Sequence, residues 1–153
     1  MNKKPLKRHK ALQPLSREHH HGLLLSWKIR SGFSKNVTPE RMRIYTDWFF
    51  ENHLIPHFEL EEKYVFPILG NDHENVKSAL ADHRRLKRLF TESDDDTKTL
   101  SKIEEELEQH IRFEERILFP EIQNVATEAQ LYHIEDIHQT KDFVDKSDDE
   151  FWK

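Results

Sequence analysis

Apolar residues recur every three or four positions along most of the chain, which is the spacing of α-helices rather than strands. Four stretches show it clearly. The first is predicted to start at Ser16 as N-cap and to end near Arg30, before Ser31-Gly32. The second opens at Thr38-Pro39 and stops at Gly70-Asn71-Asp72, which also caps the third. The third extends to Phe90, and the fourth follows the acidic turn at 93–96 and extends to Leu118.

Short connections between four helices favour antiparallel neighbours, so the pattern predicts an all-α, up-down-up-down four-helix bundle. Thr127-Glu128 is predicted to cap a short extra C-terminal helix. Only three of the 153 residues are glycine, which suits long helices and argues against a β-rich fold with many tight turns. We expect a flexible basic arm at 1–14, the bundle domain at 15–146 and an acidic tail at 147–153.

Composition and charge exclude several classes of function. There is no cysteine, so disulfides, thiolate metal sites and thiol catalysis are excluded. The formal net charge of −5 is too small to indicate a nucleic-acid or membrane partner. No apolar run approaches the roughly 20 residues that span a bilayer, and the basic N-terminus lacks the apolar region of a secretory signal. We therefore expect a cytoplasmic protein.

The chain contains one eleven-residue pattern twice, HFELEEKYVFP at 57–67 and HIRFEERILFP at 110–120. In each copy a histidine and a glutamate four residues later (His57 and Glu61, His110 and Glu114) fall on the apolar stripe of a predicted helix and share one face. His83 lies on the apolar stripe of the third helix. Buried carboxylates are costly unless they are compensated, and a metal cation that binds neutral imidazole compensates them directly.

The first helix supplies further candidates in EHHHG, residues 18–22. His20 has Leu23 and Trp27 three and seven positions ahead, as the other candidate ligands have large apolar residues at those offsets. His19 has Gly22 and Ser26 there. We therefore prefer His20, keep His19 as the alternative and expect His21 at the surface or outside the direct ligand set.

Together these positions predict four imidazoles and two carboxylates around two metal ions, with Glu61 and Glu114 bridging. Imidazole and carboxylate without thiolate favour iron, with zinc or manganese less favoured. Glu62 and Glu115 are rotated by about 100° from the bridging pair, so we expect them outside the direct ligand set. His53 is a spare candidate one turn before His57.

The four motifs LSREHHHGLLL, HFELEE, DHRRL and HIRFEE resemble the hemerythrin-like HHE cation-binding domains over roughly residues 12–125. The resemblance implies a four-helix bundle with a non-haem, usually di-iron centre. It implies His20 or His19, His57, Glu61, His83, His110 and Glu114 as its ligands. The oxygen-carrying hemerythrins have a further histidine on the third helix, where this chain has Lys87, and they have HxxxxD on the fourth.

The departure from five histidines to four predicts a more open centre and argues against simple reversible oxygen carriage. We expect a protein that binds O₂, NO or peroxide, or that senses iron or oxygen. The alternative is a di-iron enzyme that reduces peroxide or O₂ or repairs damaged iron centres. A third alternative is a regulatory protein in which the basic arm or fifth helix contacts a partner. No separate acid–base pair or organic-cofactor motif supports catalysis.

Overall fold

The computed structural model describes residues 7–138 and 143–153, and these residues form helices and connections without any strand. Within these ranges no helix combines the length and the apolar character needed to cross a membrane. The α-helices are α1 (Gln13–Ser34), α2 (Pro39–Phe49), α3 (Ile55–Leu60), α4 (Glu74–Thr91), α5 (Asp96–Phe113), α6 (Phe119–Val125) and α7 (Glu128–Ile137).

Wide π-helical turns join some of these helices into longer segments. The second helical segment, 39–68, contains α2, a π-turn at Phe50–Leu54, α3, a π-turn at Glu61–Val65 and a 3₁₀ turn at Phe66–Ile68. The fourth helical segment, 96–125, contains α5, a π-turn at Glu114–Leu118 and α6.

Each π-turn closes on the residue immediately before a proline. The amide of Phe66, before Pro67, donates to the carbonyl of Glu61, and the amide of Phe119, before Pro120, donates to that of Glu114. A proline cannot donate to the carbonyl four residues earlier, and its ring crowds that carbonyl. The wider turn accommodates both effects, and Pro56 follows a third such turn.

The helices pack into a bundle whose core has two apolar clusters. One contains Leu25, Ile29, Phe49, Phe90 and Leu107 among others, and the second contains Leu12, Leu15, Val65, Leu118 and Ile122 among others. Along every long helical segment, the residues between these clusters include a buried histidine or glutamate. A polar layer therefore separates the two halves of the core.

The all-α class is confirmed, and the up-down-up-down order stays a prediction. Contacts between α1 and α5 support this order, because residues later in α1 contact residues earlier in α5. His19 lies beside Glu114, whereas Arg30 pairs with Glu104 at 2.8 Å.

Some described residues of the expected arm and tail are buried or hydrogen-bonded to the bundle. Ala11 and Leu12, expected in the flexible arm, are fully buried, and Arg8 donates to the Glu115 carbonyl at 2.7 Å. In the expected acidic tail, Phe151 and Trp152 are buried with 1% and 8% exposure. Residues 1–6 of the arm lie outside the described residues. The short extra helix is present as α7, with a capping box of Thr127 and Gln130.

Candidate metal centre

Six buried side chains meet in the polar layer between the two apolar clusters, and we call them the candidate metal cluster. They form two groups that share both glutamates, and in each group one ligand atom per residue lies within 4.8 Å of all the others. The first group is His19, His57, Glu61 and Glu114, and the second is Glu61, His83, His110 and Glu114.

The helical segments place these side chains by simple spacing. His57 on α3 and Glu61 at the following π-turn are four residues apart, as are His110 on α5 and Glu114, so each pair shares a face. α1 supplies His19 and α4 supplies His83. α1 approaches α5 closely beside the cluster. A Cβ atom added to Gly22 would lie only 2.6 Å from Cδ1 of Ile111.

The two glutamates lie between the imidazoles. Oxygens of Glu61 are 3.3 Å from Nε2 of His57, 3.2 Å from Nε2 of His83 and 3.5 Å from Nε2 of His19. Glu114 Oε1 is 2.6 Å from Nε2 of His110 and 3.5 Å from that of His19. Both carboxylates are fully buried.

All these inward atoms lack a proper hydrogen bond. Among the described residues, the four imidazole Nε2 atoms and all four oxygens of Glu61 and Glu114 are buried without a hydrogen-bond partner. Buried polar groups are normally satisfied, so a concentration of orphaned donors and acceptors at one point needs an explanation. Four nitrogens and four oxygens that converge fit the coordination chemistry of a first-row transition metal.

The outward nitrogen of every cluster histidine is held by a different carboxylate. The Nδ1 atoms of His19, His57, His83 and His110 lie 2.6 Å from Glu115, 2.8 Å from Glu18, 2.7 Å from Glu62 and 3.0 Å from Asp82, respectively. A carboxylate that accepts from Nδ1 places the proton there and leaves the lone pair of Nε2 free to bind a metal. This arrangement is common around metal sites. All four histidines therefore present the same nitrogen to the centre.

These outer contacts follow the duplication in the sequence. The second glutamate of each copy, Glu62 or Glu115, crosses to the histidine of another helix, as expected for residues outside the direct ligand set. The phenylalanine that precedes the proline in each copy also contacts the histidine of another helix. The ring centroid of Phe66 lies 5.4 Å from that of His83, and the centroid of Phe119 lies 5.2 Å from that of His19.

Sequence reasoning missed Glu18 and Asp82, which orient His57 and His110. A signal was present, because each carboxylate directly precedes a histidine of the cluster, in Glu18-His19 on α1 and in Asp82-His83 on α4. The same signal distinguishes His19 from His20.

Electrostatics within the cluster favour charged forms despite burial. Burial alone would lower the pKa of both His57 and His110. Glu61 and Glu18 instead raise the pKa of His57 to about 9. Glu114 and Asp82 raise the pKa of His110 to about 9 in the same way. Burial likewise opposes ionisation of Glu61, yet the imidazoles around it hold its pKa well below its usual range. The Glu61 carboxylate is therefore ionised and suited to a cation, which would displace a proton from each charged imidazole on binding.

The structure corrects the preference for His20 and gives its place to His19. His20 is exposed, whereas His19 has 3% exposure and reaches both glutamates of the cluster. The other expected ligands, His57, Glu61, His83, His110 and Glu114, all lie in the cluster. That they bind a metal stays a prediction.

Of the remaining candidates, His53 lies outside the cluster and packs edge-on to Trp48 with ring centroids 5.0 Å apart. Lys87, at the position of a fifth histidine, has its Nζ 3.8 Å from Glu62. The Nε2 atom of His138 lies 3.3 Å from a carboxylate oxygen of Glu18.

Comparison with protein families gives one match. The family model described as the Hemerythrin HHE cation binding domain matches residues 7–122. The searches of curated proteins and of solved structures found no match. The matched range includes all six cluster residues and the four outer carboxylates.

Proposed function

Because the chain belongs to the hemerythrin HHE cation-binding family, we propose that it is a cytoplasmic protein that holds a non-haem di-iron centre. His19 and His57 would bind one iron and His83 and His110 the other, with Glu61 and Glu114 bridging them. The centre would bind O₂, NO or peroxide, or report the availability of iron or oxygen. Zinc and manganese are the less favoured metals for this donor set.

One observation carries the proposal: the buried, unpaired nitrogens and oxygens that converge between the two core clusters. Without a cation, the Nε2 atoms of four imidazoles and the oxygens of two carboxylates would meet only through contacts that lack hydrogen-bond geometry. A divalent ion neutralises the carboxylates and accepts the Nε2 lone pairs. The outer carboxylates support this, since they fix the tautomer that coordination needs.

The donor count supports a reactive centre. Two octahedral ions have about twelve coordination positions, and four imidazoles with two bridging carboxylates fill about eight of them. The remaining positions would admit small exogenous ligands, which is the chemistry that iron supplies. The chain's own contribution is to orient the imidazoles, neutralise charge and restrict access.

The test is to purify the chain without oxygen, measure iron per chain, then admit air and record the visible spectrum. We expect about two irons per chain and a new charge-transfer band. A band that reverses under vacuum would indicate reversible binding, and a band that persists would indicate oxidation chemistry. A well-folded chain that takes up no iron would reject the proposal.

His19→Ala and His20→Ala form a matched pair, because the residues are adjacent on α1 and only His19 faces the cluster. We expect His19→Ala to lose iron, since it removes one of two imidazoles from the first group. His20→Ala should retain the wild-type content because its side chain is exposed. Loss of iron in His20→Ala alone would contradict the assignment.

The second candidate is a di-iron enzyme that reduces peroxide or O₂ or repairs damaged iron centres. A mostly enclosed pocket that reaches His19, His57 and His110 favours it, because a substrate would need such access. Steady turnover of peroxide by the iron-loaded chain, abolished in His57→Ala, would favour the enzyme over a binding protein.

A further inference from the structure

The pocket beside the candidate metal cluster has both polar and apolar lining residues. His19, His57 and His110 of the cluster line it, and so do the apolar side chains of Leu54, Phe58, Leu107 and Ile111. His83 does not line it; the Phe58 ring stacks on that imidazole at 3.9 Å instead. The pocket therefore reaches three of the four cluster histidines: both of the first group, His19 and His57, and only His110 of the second.

The cavity is small. Its volume is about 30 Å³, more than the roughly 10–15 Å³ that a cavity needs to hold one water but far below the roughly 150 Å³ of a cavity that binds benzene. A diatomic molecule or peroxide fits a space of this kind, whereas a ring or a larger anion requires that part of the wall moves.

Phe143 forms the part of that wall that lies outside the helices. It lines the pocket, stacks face to face on His21 with ring centroids 3.9 Å apart, and lies 4.6 Å from the ring of His53. It lies outside α1–α7, on the segment at 143–153 that follows the last helix. Since it is not held by helical hydrogen bonds, its ring can be displaced without unfolding a helix.

The C-terminal segment is anchored just beyond Phe143. Asp145 accepts hydrogen bonds from Lys28 Nζ at 2.7 Å and from the Tyr45 hydroxyl at 2.5 Å. Further on, Trp152 is buried and its carbonyl accepts from Lys35 Nζ at 2.6 Å. These contacts position the Phe143 ring over the pocket and limit how far it moves.

We propose that Phe143 determines ligand size at this pocket: its ring admits molecules of the size of O₂, NO or peroxide and excludes larger ones. The inference rests on the proposed function insofar as the pocket serves a metal centre. The ligands of the two metal positions match, so they give no basis for selecting small molecules by size. That selection comes from Phe143 on the C-terminal segment.

The first experiment compares nitric oxide and imidazole as ligands of the iron-loaded full-length chain, followed by the visible spectrum. We expect imidazole to bind Phe143→Ala at least about tenfold more tightly than wild type, and nitric oxide to change less than about threefold. Val144→Ala is the matched control, because Val144 is the next residue and 75% exposed. Asp145→Asn keeps the ring but weakens its anchor, and should shift imidazole binding in the same direction by a smaller factor.

The second experiment does not depend on metal. Diethyl pyrocarbonate modifies accessible imidazoles, and mass spectrometry locates the sites. In Phe143→Ala, with or without prior chelation of metal, His21 and His53 should react faster relative to the exposed His133, whereas Val144→Ala should match wild type.

The outcomes separate this proposal from the proposed function. If iron-loaded Phe143→Ala binds imidazole no better than wild type, the role of Phe143 is overturned and the proposed metal centre is left intact. Absence of iron in the wild-type chain would reject the centre, and faster labelling of His21 and His53 in Phe143→Ala would still support the covering role. Unchanged labelling would overturn that role whether or not iron is bound.

Discussion

Glu115→Ala tests whether the outer carboxylates act on the centre through the histidines. Glu115 lies 2.6 Å from Nδ1 of His19 and also accepts from Ser16 at 2.9 Å. Loss of such an outer partner typically weakens metal binding 10- to 100-fold, which is about 1.4 to 2.7 kcal/mol at 1.36 kcal/mol per factor of ten. The Glu115 side chain is 29% exposed, so water can enter the vacated space and hydrogen-bond to Nδ1 in its place. We therefore expect an effect near the lower end, about tenfold.

The assay is an anaerobic titration of iron(II) against a competing chelator, with folding checked by circular dichroism. Glu105→Ala on α5 is the matched control, since that side chain is exposed and distant from the cluster, and it should leave the dissociation constant unchanged. His19→Ala sets the upper limit because it removes the ligand itself. If Glu115→Ala binds iron as tightly as wild type while His19→Ala loses it, the carboxylate does not orient the imidazole and the reasoning fails.

Other predictions concern the C-terminal segment and the metal. Phe151→Ala should lower the free energy of unfolding by about 3–5 kcal/mol, because the ring has 1% exposure; an unchanged urea midpoint would show that the segment adds nothing to stability. Burial would raise the pKa of Asp145, but the hydrogen bonds from Lys28 and Tyr45 lower it below 3.8. The stability that ionised Asp145 contributes is therefore fully present above its ordinary pKa. It is lost as the pH falls from that ordinary pKa through the lowered pKa of the folded chain. Accordingly, the difference in urea midpoint between wild type and Asp145→Asn should be largest near neutral pH and vanish in strong acid. Chelation of iron should lower the melting temperature of the wild-type chain by mass action, and a chelator that removes iron without such a shift would contradict metal-linked stability.

Much of the site could be predicted because helical geometry is local. Histidine and glutamate four residues apart share a face in any α-helix, so the pairs His57–Glu61 and His110–Glu114 follow from spacing alone. His83 follows because its apolar neighbours on α4 mark the buried face. The same logic predicts the all-α class.

His19 could not be found by this logic, because the inward face of α1 is not its most apolar face. α5 approaches so closely that Gly22 and Ser26 are buried there, whereas Trp27, which made His20 attractive, is 49% exposed. Small residues mark this contact, and only knowledge of the neighbouring helix reveals that.

The C-terminal segment could not be predicted for a related reason. Phe151 and Trp152 follow a run of acids that favours a solvated tail, and their burial depends on a site formed by Gly32 and Met42 on two other helices. Contacts between residues so far apart leave no periodic signal in the sequence.

The duplicated ligand set gives the protein an internal control. Each of the two candidate metal positions has two imidazoles, the same two glutamates and one outer carboxylate per imidazole. A variant in one copy therefore has a counterpart in the other, such as Glu62 for Glu115. Any difference in reactivity between two ions held there would have to come from their surroundings. Those surroundings do differ: the pocket under Phe143 reaches His19, His57 and His110, whereas the rings of Phe58 and Phe66 cover His83. Paired variants would thus separate the effect of the ligands from the effect of access within a single chain.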